Sequence, residues 1–128
     1  MAPAGTPLIY VDRSEVREGK VDELRAAIGE LAAFVAANEP ELLSYAAFVD
    51  PDGRHMTVTH IHRDPESLDR HLAVAGPRFA AFAELVRLLR VDLYGTPSDA
   101  ALAGLRQKAA LLGGAIVEVH PLQAGFIR

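Results

Sequence analysis

Twice along this chain an alternating, strand-like run gives way to apolar positions repeating at three and four, and between the two lies a pair of strand-like runs joined by a turn. Leu8 to Val16 (LIYVDRSEV) reads as the first strand, with Leu8, Tyr10 and Val16 on one face and Ile9 and Val11 on the other. After Glu18-Gly19-Lys20, the residues Val21, Leu24, Ile28, Leu31, Ala32 and Val35 form the stripe of an amphipathic helix to about Asn38. Glu39-Pro40 stops it, because proline disfavours helical geometry in the residue before it. Leu42–Asp50 and His55–Arg63 are strand-like, and Pro51-Asp52-Gly53 between them predicts a hairpin. Asp64 has an N-cap side chain, Pro65 suits the first helical position, and Leu68, Leu72 and Ala75 continue at helical spacing. The pattern breaks near Gly76-Pro77. A second helical stretch is expected over Arg78–Leu88, with Phe79, Phe82, Leu85 and Val86 as its stripe, followed by a strand over Leu89–Tyr94.

Strand, helix, hairpin, helix, strand is the βαββαβ order, and its usual solution is a ferredoxin-like α+β unit, a four-stranded antiparallel sheet with both helices on one face. Each predicted strand carries apolar residues on both sides, as with Leu43 and Val49 against Leu42 and Phe48. The helix-free face therefore needs a cover, and a second copy is the economical one, so a homodimer is expected. Residues 1–95 make this domain, and 96–128 are an extension packed on the same domain or on its dimer partner. The extension holds a helix over Asp99–Leu112, a Gly113-Gly114 stop and a strand over Ala115–Val119. It is too apolar for a solvated tail and is expected to be ordered, with its strand on a sheet edge of its own chain or the partner's.

With 128 residues and 50% hydrophobic content the chain can bury a core, and with no cysteine it has no disulfides. A net charge of -4 without a Lys/Arg cluster argues against a nucleic-acid partner. No apolar run approaches the roughly 20 residues of a membrane span, and the N-terminus lacks a signal-like charged and apolar pattern. A cytoplasmic protein without membrane contact is expected.

Chemistry concentrates between His55 and Gly76, where four of the five histidines fall. Strand alternation puts Met56, Val58, His60 and His62 on one face, and His71 rides the helix that follows. The phrases REGKVDEL, NEPELLSYAAFVDPDG and HIHRDPESLDRHL, together with the element order, resemble the antibiotic biosynthesis monooxygenase (ABM) domain over roughly residues 8–95. That resemblance implies a dimeric α+β barrel of ferredoxin-like subunits. It also implies kinship with cofactor-independent quinone-forming oxygenases, haem-degrading enzymes, cyclases and isomerases. Relatives commonly show a carboxylate or amide where His60 stands and an aromatic where His62 stands, whereas a histidine near His71 is frequent.

Three readings follow. In the first, the chain is a cofactor-independent monooxygenase-like enzyme: His62, His71 or His60 deprotonates a small aromatic, quinol or enol so that the anion reacts with dioxygen, and Tyr45, Tyr10 and Arg63 are hydrogen-bond donors to the substrate. No cofactor is expected in this reading, and no P-loop, GxGxxG or GxSxG is present. In the second, the chain is a non-catalytic small-molecule-binding or structural dimer. In the third, His60, His62, Asp64 and His71 hold a metal ion. Phe79 and Phe82 are expected in the core. The enzyme readings require the three histidines to converge on a cavity, with about 300 Å³ the lower end for a small-molecule site.

Overall fold

β1 (Leu8–Val16) forms the middle of a five-stranded sheet of order β2-β3-β1-β4-β5, in a computed structural model that describes residues 6–128. Most of the proline- and glycine-rich lead-in falls at residues 1–5, outside the described part. The remaining elements are α1 (Val21–Asn38), β2 (Leu42–Val49), β3 (His55–His62), α2 (Pro65–Ala75), a 3-10 run (Gly76–Glu84), β4 (Val86–Tyr94), α3 (Asp99–Leu111) and β5 (Ile116–His120). β1 pairs antiparallel with β3 and β4, and β2 pairs antiparallel with β3, which is the ferredoxin-like arrangement. β5 extends the sheet by pairing parallel with β4 of its own chain. No helix among the described residues is long and apolar enough to cross a membrane.

Register sorts the side chains into two faces, because residues paired across strands share a side. On the inner face one row runs Tyr45, His60, Tyr10, Leu93 and Val119, and the next runs Ala47, Val58, Asp12, Val91 and Val117. α1 covers one half with Leu24, Ile28, Leu31 and Val35, packing on Val58 and Met56. α2 and α3 cover the other half with Leu68, Ala101, Leu105 and Ala109, packing on Leu8, Leu88, Val91 and Leu93. Each fully buried leucine contributes about 1.5–3 kcal/mol. The outer face carries no helix among the described residues, and Phe48 and Tyr94 are exposed on it.

Three local expectations change. Leu42 and Val49 both pack inward, because a bulge between Leu42 and Ser44 reverses the alternation at the start of β2. The stretch after Gly76 is a 3-10 run and not an α-helix, in keeping with the three-residue spacing of Phe79, Phe82 and Leu85, which eclipses in that geometry. β4 accordingly starts at Val86 and not at Leu89, since Val86 and Leu88 continue the ladder against Val16 and Ser14. The hairpin turn closes at Gly53, whose φ of +72° suits glycine and whose N–H donates to the Asp50 carbonyl.

Candidate functional site

The row Tyr45–His60–Tyr10 forms the floor of a polar seam between the two apolar clusters. His60 lies flat against Tyr10, ring centroids 4.0 Å apart, and meets the edge of Tyr45 at 4.9 Å. Its Nδ1–H donates to the Tyr10 carbonyl at 2.9 Å, which leaves Nε2 as the acceptor nitrogen of the neutral ring. Two residues on, His62 faces the same way, its ring 6.3 Å from that of His60 and its Nδ1 at 2.8 Å from Ser67 Oγ. α2 presents Leu68, His71 and Ala75 inward at helical spacing, so His71 descends onto the sheet with its ring 5.0 Å from His60 and 5.8 Å from His62. Strand alternation and one helix face thus bring three fully buried imidazoles together.

His71 is held by a residue from the end of α1. Its Nδ1–H donates to both carboxylate oxygens of Glu39, at 3.0 and 2.9 Å, and Glu39 is itself buried at the C-terminal end of α1. In the neutral ring this contact puts the proton on Nδ1 and the lone pair on Nε2, the geometry by which a carboxylate prepares a histidine to accept a proton. The Nε2 atoms of both His71 and His62 are buried without a hydrogen-bond partner. Each such orphan costs about 1–3 kcal/mol, so the fold holds two unused acceptors or bases at some expense.

Burial sets the charge states around them. It pushes the His60 imidazole well below its ordinary value and pushes His62 down to about 3. Both rings are neutral at pH 7. Burial also pushes the phenols of Tyr45 and Tyr10 upward, helped in each case by the Asp12 carboxylate, so both remain protonated.

Lys108 of α3 closes the far wall, donating to the Tyr10 hydroxyl at 2.5 Å and to Asp12 Oδ2 at 3.2 Å. His60, Tyr45, Asp12, Ser14 and Lys108 are the polar lining of an internal cavity whose other walls are apolar and include Phe79 and Phe82. Its free volume is about 40 Å³, room for a few waters and far short of a small-molecule site. His62 and His71 do not line it. Tyr45 and Phe79 both line the cavity and both pack on the His71 ring, with centroids 5.8 and 6.1 Å away, so His71 lies one side chain deeper.

Of the residues singled out in the sequence, His60, His62, His71, Tyr10 and Tyr45 come together, and Arg63 does not. Arg63 is exposed, because alternation turns it away from His62 just as the chain leaves the sheet. Asp64 accepts from the Ser67 N–H at 2.9 Å through one carboxylate oxygen and is the cap of α2. The three histidines commit their Nδ1 atoms to Tyr10, Ser67 and Glu39, which leaves Nε2 as the remaining ligand atom of each. Among the described residues, sets of three or more histidine or carboxylate side chains with ligand atoms within 4.8 Å of one another occur only at Asp50, Asp52 and His55 and at Asp92, Glu118 and His120, away from the seam. Arg13 pairs with Asp50, and Arg90 pairs with Asp92 and Glu118. Glu39, Asp12, Ser67 and Lys108 escaped the sequence reading. One signal for Glu39 was present: a carboxylate at a helix C-terminus opposes the helix dipole and calls for another reason to be there.

Residues 7–86 match the family model described as antibiotic biosynthesis monooxygenase. No curated protein sequence matches the chain. Among solved structures, MupZ from Pseudomonas fluorescens superposes with a TM-score of 0.74 at 17% identity, covering 100% of this chain and 94% of that one. SnoaB from Streptomyces nogalater, a cofactor-independent oxygenase, gives 0.60 at 21% identity over 72% of this chain and 94% of its own. A conserved protein from Methanosarcina mazei gives 0.62 at 18% identity over 71% and 93%. At these identities the likeness is one of fold, and the MupZ superposition takes in the C-terminal extension as well.

Proposed function

Because the chain belongs to the antibiotic biosynthesis monooxygenase family, we propose that it is a cofactor-independent, monooxygenase-like enzyme whose Glu39–His71 pair deprotonates a small aromatic, quinol or enol substrate. The observation that carries this reading is the buried His71 Nε2, without a partner and backed by a carboxylate on the opposite nitrogen. A proton taken from the substrate hydroxyl lands on Nε2, and Glu39 stabilises the imidazolium formed. The electron-rich anion then reacts with dioxygen. For a phenol oxidised to a quinone, one dioxygen is consumed, one of its atoms stays as the new carbonyl and the other leaves as water. Tyr45, protonated and beside both His60 and His71, is a donor to the developing charge. His60 and His62 serve as neutral hydrogen-bonding groups. SnoaB, with a related fold, is a cofactor-independent oxygenase, which supports the reaction class.

Substrate must open the site, since rotation of Phe79 or Tyr45 is what would join the cavity to His71. The working form in this reading is a homodimer through the outer sheet face, where Phe48 and Tyr94 are exposed beside half-buried Ile9, Val11 and Ile61. The test is dioxygen uptake with a panel of small phenols, hydroquinones and enols, without added metal or flavin. His71→Asn and Glu39→Gln should each lower turnover by about 10²–10⁴-fold while circular dichroism stays unchanged. Full turnover in both variants, or no uptake by the native protein across the panel, would leave the binding-module reading in its place.

A further inference from the structure

Lys108 lies outside residues 7–86, the part of the chain that matches the family model. Its ammonium crosses from α3 to the central strand, with its side chain 10% exposed and that of its partner Asp12 6% exposed. A link needed only to fasten α3 would be a poor solution. Leu105, Ala109 and Leu112 already bury that helix, and a buried ion pair gains little over apolar packing once both charges are desolvated. An ammonium also has three N–H donors. Tyr10 and Asp12 take two, and the Phe79 ring, with its centroid 4.1 Å from Nζ, is the remaining neighbour.

Phe79 and Lys108 have a second shared property. Both line the inner cavity, and both line a groove of about 370 Å³ between the 3-10 run and α3, beside Leu72, Pro77 and Gly104. The two side chains are the partition between groove and cavity. A ring that swung away from Nζ would open the cavity and uncover the third donor in the same movement.

We infer that Lys108 is the cation that holds the substrate's oxygen as negative charge develops on it, and that a small, flat, largely apolar phenol or enol enters through the groove between the 3-10 run and α3 by displacing Phe79. This rests on reading the site as a base-assisted enzyme. The C-terminal extension is then part of the active site, supplying an oxyanion partner that the matched family segment does not contain. The walls of the cavity favour this role, since Ile28, Val58, Phe82 and Leu112 are apolar, and a charge–charge attraction is stronger beside them than in solvent. Asp12 holds the ammonium in place before the substrate arrives.

The probe is 4-nitrophenol, whose ionised form absorbs separately from the neutral form, so that titrating the bound dye reports which form the site prefers. Native protein and Phe79→Ala, in which the partition is removed, should bind the phenolate in preference to the phenol, and Phe79→Ala should bind faster. In the double variant Asp12→Asn with Lys108→Met, the preference should fall by about tenfold, one pH unit in the titration of the bound dye. Because the double change removes the carboxylate together with the ammonium, the loss cannot come from an uncovered negative charge, and the site stays neutral for folding. Lys108→Arg should restore most of the preference. A purely structural tie would change the melting temperature of the double variant without moving the dye's titration. An unmoved titration in a folded double variant overturns the inference, and so does absence of binding to both native protein and Phe79→Ala at millimolar dye. His71→Asn should keep the phenolate preference. If His71→Asn retains turnover, the base assignment falls while the dye result still decides the role of Lys108.

Discussion

Acidification from pH 7.5 to 5.5 should remove about 1.4 kcal/mol of folding stability through His62 alone. In the folded protein, burial holds this imidazole down to about 3, whereas in the unfolded chain it returns to its ordinary value of 6.5. Over the two pH units the unfolded chain takes up most of one proton at this position and the folded chain takes up none, and a tenfold change in that balance is worth about 1.4 kcal/mol. The contribution is fully present above pH 6.5 and is lost progressively as pH falls toward the folded value, about 5 kcal/mol across the whole window. His60, also lowered by burial, adds in the same direction. Most carboxylates titrate below this interval, and the other four histidines are common to the two proteins compared. The assay is urea unfolding at pH 7.5 and 5.5 for the native protein and for His62→Asn, whose amide does not titrate and can still reach Ser67 Oγ. His62→Asn will differ in stability at both pH values, and only the change between them matters. The native protein should lose about 1.4 kcal/mol more than the variant. Equal losses would show that His62 titrates alike folded and unfolded, and would refute the account of the buried histidine row.

Leu105→Ala on α3 should cost about 2–5 kcal/mol in urea unfolding, because Leu105 is fully buried against the sheet; truncation after Gly95, which strips α3 from Leu88, Val91 and Leu93, should lower the melting temperature and solubility far more. An unchanged melting temperature in the truncated protein would mean that the extension is a passenger. Phe48→Glu on the outer sheet face should convert a dimer to a monomer by light scattering at micromolar concentration with the fold retained, and an unchanged mass would move the interface elsewhere. Asp64→Ala should cost about 1 kcal/mol as a lost helix cap and leave turnover intact; loss of activity in a folded Asp64→Ala protein would return that carboxylate to the site.

The elements that could be read from residue order are those whose information is local. Leu24, Ile28, Leu31 and Val35 form the stripe of α1 because a helix repeats every 3.6 residues, and the same four face the sheet. The alternation in β3 buries Met56, Val58, His60 and His62 together, and the Asp64 cap and Pro65 start α2 where their chemistry suits a helix end. Where two local patterns compete, the tertiary structure chose. Phe79, Phe82 and Leu85 fit one more helix, yet the ladder against Val16 and Ser14 claimed Val86 and Leu88 for β4 and left only a 3-10 run before it. The site divides in the same way. Two imidazoles on one strand face follow from the pleat, but His71 needed the docking of α2 to arrive beside them. Its carboxylate comes from 32 residues away, and Lys108 meets Asp12 and Tyr10 across 96 and 98 residues. Along the chain Glu39 is a helix terminator, Asp12 part of a polar strand end and Lys108 a charge on an amphipathic helix. Each acquired its role only when chain closure placed it in a buried seam, where a charge or a hydrogen-bonding group must find a partner and the partner is set by register and packing, not by sequence neighbours.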